Sequence, residues 1–133
     1  IASFCKQVAL IEQGKKESFI KVGNLAQKRD FIDIRDAIPA YEAVLRHAKP
    51  GQTVNICSGK SYFIKEIIRW LQGMTNVSFE VKIDPHLMGD RRTRNNIVVG
   101  NPRLIKKWGW KQRYHLKESV HWILEYWRKA VNN

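Results

Sequence analysis

The chain has 133 residues, 44% of them hydrophobic and 27% charged, and its 24 lysines and arginines against 12 acids give a net charge of +12. That length corresponds to one domain able to bury roughly two-thirds of its unfolded surface. No apolar run approaches the ~20 residues of a membrane-crossing helix, while the charge raises nucleic acid and anionic small molecules as partners.

The chain opens IASFCKQ, with neither an initiator Met nor a basic-then-apolar leader, as expected of a fragment of something longer. Residues 4–13 read as a helix with Phe4, Val8 and Ile11 on one face, ended by Gly14, and Lys6 points away from that stripe toward solvent. FIKVG (19–23) alternates as a strand. In KRDFIDIRD (28–36) a period of two places Ile32 and Ile34 on one face and Arg29, Phe31 and Asp33 on the other, so the cations are expected away from the core. Asp36 reads as the N-cap of a helix carrying Ile38, Tyr41, Leu45 and Ala48, with Pro39 in its first turn.

KPGQ (49–52) turns the chain into TVNIC (53–57), an apolar run of the kind a sheet buries on both faces. SGKS then leads into a helix with Ile64, Ile67, Ile68 and Leu71 at helical spacing and Gly73 after its end. Val77, Phe79, Val81 and Ile83 alternate with Ser78, Glu80 and Lys82 as a half-buried strand. Asn101 and Pro102 open a short helix closed by Gly109, and the last helix, about 116–130, carries the stripe Leu116, Val120, Ile123, Leu124 and Trp127. Strands and helices alternate, which makes the fold class α/β.

The positive charge is uneven. Residues 89–113 hold 8 bases against 1 acid, more than half of the net excess, so the surplus reads as a local anion site or a local nucleic-acid patch. Against this stands what is missing. The eight glycines never lie closer than eight positions apart, which excludes both a dinucleotide-binding GxGxxG and a P-loop. The four histidines show no metal-ligand spacing, and Cys5 and Cys57 fit neither a zinc knuckle nor a redox pair. Both thiols are read as reduced and buried, in a cytoplasmic protein. No GxSxG elbow is present, and Tyr62 is followed four residues later by Glu66 rather than by the lysine of a Tyr-x-x-x-Lys pair. The chain looks catalytically empty.

The segments KVGNLAQKRDFIDIRDAIPAYEAVL, GQTVNICSGKSYFIKEII, DPHLMGDRR and VGNPRLIKKWGWK, with the tail ILEYWRK, together resemble one group in order and spacing. They are similar to the C-terminal region of extended short-chain dehydrogenase/reductases acting on nucleotide sugars, nearest to GDP-4-keto-6-deoxy-mannose reductases and GDP-mannose 4,6-dehydratases. The RDFIDIRD form resembles the reductase branch more.

The resemblance implies a single C-terminal nucleotide-sugar-binding lobe over residues 1–133. The main Rossmann sheet, the catalytic residues and the NAD(P) site would lie in a preceding half, and TVNIC would be a strand returned to that sheet. It implies a GDP-sugar or related nucleotide sugar as ligand and hydride transfer at C4 of the hexose in the whole enzyme, with the 133 residues inactive alone. It implies substrate contacts by Arg29 at the diphosphate or ribose, Lys28 beside it, Asn24 and Leu25 near the base, and Arg91 closing the clamp from the basic window. Guanidinium groups suit that task because they donate paired hydrogen bonds to phosphate oxygens. An ion pair of Arg29 with Asp30 or Asp33 is the alternative reading. Arg91, Arg92, Thr93 and Arg94 stand where the family shows Arg-Pro and then an acid, which leaves the role of Arg94 open. A homo-oligomer is left open too. From another class, a small basic nucleic-acid-binding domain using residues 89–113 is the alternative, although no helix-turn-helix, zinc-finger or RNP-like motif supports it.

Overall fold

The computed structural model describes residues 1–88 and 97–132. Its elements run α1 (Ala2–Glu12), β1 (Phe19–Val22), β2 (Lys28–Asp30), α2 (Ile34–His47), β3 (Ser61–Phe63), α3 (Ile64–Gln72), β4 (Glu80–Ile83), a 3₁₀ turn (Pro85–Leu87), β5 (Ile97–Val98), α4 (Arg103–Lys107) and α5 (Leu116–Ala130). The strands form two small sheets: β1 pairs with β4 in parallel, and β2 lies between antiparallel β3 and parallel β5.

The main core gathers the apolar faces of α1, α3 and α5 over β1. Val8, Ile20, Val22, Ile67, Leu71, Val120 and Leu124 are inaccessible to solvent. Each helix contributes residues three or four apart, so the period of the pattern becomes the buried stripe. Arg128 ties the far end of this layer together: its guanidinium donates to Glu12 on α1, to Glu125 on its own helix and to the Met74 carbonyl after α3. Those contacts hold the Glu12 carboxyl below its ordinary range.

A second, smaller core lies under α2. Ala40, Ile105 and Trp110 are buried there, with Ile32, Val44, Val54 and Ile56 packed against them. The Trp110 indole N–H donates to the Asp36 carbonyl at 2.8 Å and locks the Gly-Trp loop to the start of α2.

Four expectations change here. Asp33, not Asp36, is the N-cap of α2; its carboxylate accepts the Arg35 N–H at 2.9 Å. With the helix starting at Ile34, Pro39 falls in the second turn, and Asp36 is a buried side chain accepting the N–H groups of Arg113 and Tyr114 at 3.0 Å each. The strand at 28–36 is shorter than its alternation suggests: Ile32 packs on the second core and Ile34 is an exposed helical residue, so the two share no face. Ile38, Tyr41 and Leu45 do form a stripe, yet it faces outward, with Leu45 87% exposed. Finally, residues 53–57 form no strand among the described residues. Val54 and Ile56 lean on the second core while Thr53 and Asn55 are exposed.

The strand read over 77–83 is paired only from Glu80 to Ile83, the N-cap of α4 is Pro102 rather than Asn101, and β3 precedes α3 where no strand was expected, while the apolar stripes of α1, α3 and α5 hold. Val77, Phe79 and Val81 pack on the main core, and Ile83 alone of that series is exposed. Lys6 is exposed, its ammonium 5.0 Å from the Trp127 ring centroid. Among the described residues no helix is long and apolar enough to cross a membrane.

Candidate functional site

The turn between β1 and β2 is built by Gly23, Asn24 and Leu25, each for a separate reason. A Cβ at Gly23 would lie 2.1 Å from the Leu87 carbonyl oxygen, so only glycine lets the 3₁₀ turn close over the end of β1. The Asn24 side-chain oxygen accepts the Ala26 N–H at 2.9 Å, an Asx turn that reverses the chain. The Leu25 side chain packs on the main core while its carbonyl accepts the Lys65 N–H, and the Gln27 carbonyl accepts that of Ile64. The turn is thereby seated on the start of α3.

β2 carries the two cations away from this turn. Lys28 lies opposite Phe63 and Ile97, and Arg29 opposite Tyr62 and Val98, so successive residues present opposite faces of the three-stranded sheet. The Lys28 ammonium stands 4.6 Å from the Phe63 ring centroid and that of Lys65 4.8 Å from the same ring, so one aromatic side chain positions two positive charges. Arg29 is half-buried and its Nη1 donates to the Lys28 carbonyl at 2.9 Å. The expectation of cations clear of the core is thus met only in part: both side chains are partly covered, and Phe31, on the Arg29 face, packs on the main core.

Asp30 organises the surroundings of these residues. Its carboxylate accepts the Ser58, Gly59 and Gly100 N–H groups at 2.9–3.1 Å and the Ser58 hydroxyl. Gly100 must be glycine for this, because a Cβ there would stand 2.4 Å from the Cys57 sulfur. Asp33 accepts two guanidinium hydrogen bonds from Arg35 and one from the Ser119 hydroxyl, and these hold its carboxyl far below the usual carboxylate range.

Asn24, Leu25, Lys28 and Arg29 are therefore brought together by one turn and one strand, while Arg91 lies outside the described residues, as do Arg92, Thr93 and Arg94. Asn24 has its side-chain oxygen committed to the turn, so a base contact would fall to its amide nitrogen. Lys65 belongs to the same cluster and was missed in the sequence, where it reads as a polar position on α3. Burial pushes the Cys5 thiol up to about 11, and burial with the nearby Asp30 carboxylate raises Cys57, so the thiolate form is disfavoured at both. Among the described residues no group of three His, Cys, Asp or Glu side chains could hold a metal ion. The arrangement offers cations, an aromatic face and backbone polar groups, which suits binding an anion rather than transforming it.

Residues 2–123 match the family described as GDP-mannose 4,6 dehydratase. The chain belongs to the GDP-mannose 4,6-dehydratase family. This member is 36% identical over 132 residues to the GDP-6-deoxy-D-mannose reductase of Pseudomonas aeruginosa, covering 98% of the chain and 43% of that protein. It is 29% identical over 96 residues to the GDP-6-deoxy-D-talose 4-dehydrogenase of Aggregatibacter actinomycetemcomitans, covering 65% of the chain and 32% of the relative. Its fold superimposes on the P. aeruginosa RMD structure complexed with NADPH at a TM-score of 0.87 and 32% identity, over 97% of the chain and 42% of that structure. The Bacillus cereus UDP-glucuronic acid 4-epimerase in complex with UDP-glucuronic acid and NAD shares the fold at a TM-score of 0.76 and 18% identity. This GDP-mannose 4,6-dehydratase family chain thus spans less than half the length of its relatives, and it is an α/β chain matching their C-terminal part.

Proposed function

We propose that the chain is the nucleotide-sugar-binding lobe of an NAD(P)-dependent GDP-sugar oxidoreductase or 4,6-dehydratase. The carrying observation is the 36% identity to a GDP-6-deoxy-D-mannose reductase along nearly the whole chain. In the whole enzyme the hydride passes between nicotinamide and C4 of the hexose, and the proton-transferring groups and the cofactor site lie in the preceding half. The 133 residues alone turn nothing over.

In this reading Arg29 reaches the diphosphate or ribose with Lys28 beside it on the strand, Asn24 and Leu25 lie near the base, and Arg91 closes the clamp. One feature supports it: the cations sit on a strand paired on both sides, so the backbone that carries them is set before a ligand arrives.

The preceding half would also cover what this chain leaves open. α2 rests on the second core through Ala40 and Val44, and the segment 53–57 through Val54 and Ile56, which leaves the stripe Ile34, Ile38, Tyr41 and Leu45 turned outward, as a helix and an extended segment awaiting a sheet would be.

Titrating the ¹⁵N-labelled chain with GDP tests the reading. Amide shifts are expected to cluster at residues 23–29 and 63–65 and to disappear in Arg29→Ala. Shifts elsewhere only, or NADPH oxidation by the 133 residues alone, would contradict it.

A further inference from the structure

A second cluster of aromatic and cationic side chains converges away from β2. Arg35, at the start of α2, has its guanidinium fixed by Nε and Nη2, which donate to the Asp33 carboxylate at 2.9 and 2.8 Å. This leaves Nη1 directed away from Asp33 as a donor for another group. The flat cation lies 3.8 Å from the Tyr114 ring centroid and 5.0 Å from that of Trp122, so two rings from different parts of the chain bracket it. Such a guanidinium is held in one pose before anything binds, which removes the usual ordering cost of an arginine contact.

Arg35 forms one wall of a cleft of about 880 Å³. Tyr62 and Trp70 also line it, set edge to face with centroids 5.5 Å apart. Trp122 is 54% exposed, so a large part of its ring remains available for contact. Arg113 and Lys117 add two cations, and among the described residues Glu118 is the one acid lining the cleft; it accepts the His115 N–H at 2.9 Å. Neither Asn24, Leu25, Lys28 nor Arg29 lines this cleft.

Its chemistry selects a ligand. Aromatic walls favour a flat ring, and a stacked arginine extends that platform. Arg35 keeps Nη1 beside its ion pair with Asp33, and with Arg113 and Lys117 set against Glu118 the cleft retains a net positive charge, which favours an anion whose several acceptor oxygens can meet donors from more than one of these residues, as those of a phosphate do. The volume falls within the range of small-molecule sites. We propose that this cleft binds a nucleoside monophosphate, with the base among Tyr62, Trp70 and Trp122 and the phosphate against Arg35, Arg113 and Lys117.

The test follows the indole N–H signals of the five tryptophans in the ¹⁵N-labelled chain during titration with AMP and with GMP. The Trp70 and Trp122 signals are expected to move, while adenosine and ribose 5-phosphate, each lacking one half of the ligand, bind about tenfold more weakly or worse. Arg35→Met should weaken binding by about tenfold, the loss of one charge-assisted contact. If that variant fails to fold, Trp122→Ala, which removes a half-exposed ring, should show a comparable loss. The proposal is overturned if neither indole moves at millimolar nucleotide, if the folded variants bind as the parent does, or if the shifts are confined to residues 24–29. The last result would report the β2 cluster alone, and so separates this proposal from the GDP-sugar reading.

Discussion

At Asp36 two carboxylate oxygens accept the N–H groups of Arg113 and Tyr114, and the same residue's carbonyl accepts the Trp110 indole. One residue at the start of α2 therefore fastens the whole loop that follows α4. Replacing it by alanine leaves two backbone donors without their partner, at a cost of about 2–4 kcal/mol, and urea unfolding of Asp36→Ala against the parent should read a loss of that size. Asp33, three residues earlier, does the capping instead. Both acids look alike in DIRD, because an N-cap pattern specifies an acid before a helix and not which of two. Lys28 and Arg29 became candidate ligands through the motif that carries the family resemblance, together with the fit of a guanidinium to phosphate oxygens, and their binding role is a proposal. The role of Asp30 was not, because its donors come from residues 28 to 70 positions away. Asn24 and Leu25 gained a structural explanation that their motif alone does not reveal.

Helices α1, α3 and α5 follow their apolar periods closely, since each stripe is satisfied within the chain. α2 carries an equally clear stripe, but a period shows only that a face is apolar, not what covers it. The ends of these helices are held by acids whose titration should govern acid sensitivity. Asp33, through its hydrogen bonds to Arg35, and Glu12, through those to Arg128, are both more acidic folded than unfolded. On acidification the unfolded chain binds protons first. The stabilisation is complete above the ordinary carboxylate range near pH 4 and is lost as the pH falls through the lower folded values. The urea midpoint is therefore expected to drop between about pH 5 and pH 2. In the double variant Asp33→Asn, Glu12→Gln the drop should be shallower, and an unchanged slope would show that other carboxylates control it.

At the scale of the whole molecule, a helix face and an extended segment that are both without a partner among the described residues adjoin one small core. Ile34, Ile38, Tyr41 and Leu45 lie within three turns of α2, a contiguous apolar surface of the kind that drives association. The isolated chain is expected to self-associate, with a sedimentation coefficient that rises with concentration, and Ile38→Glu with Leu45→Glu should return it to a monomer. A parent that sediments as a clean monomer at all concentrations would remove this expectation.

The Asp30 carboxylate couples these regions mechanically. It rivets Ser58 and Gly59, which follow the open segment, to the strand that also carries Arg29. If residues 53–57 seat against the preceding half and Arg29 grips a ligand, as proposed, a pull on the first is passed through the same splice to the second, and assembly and grip are geared together rather than independent.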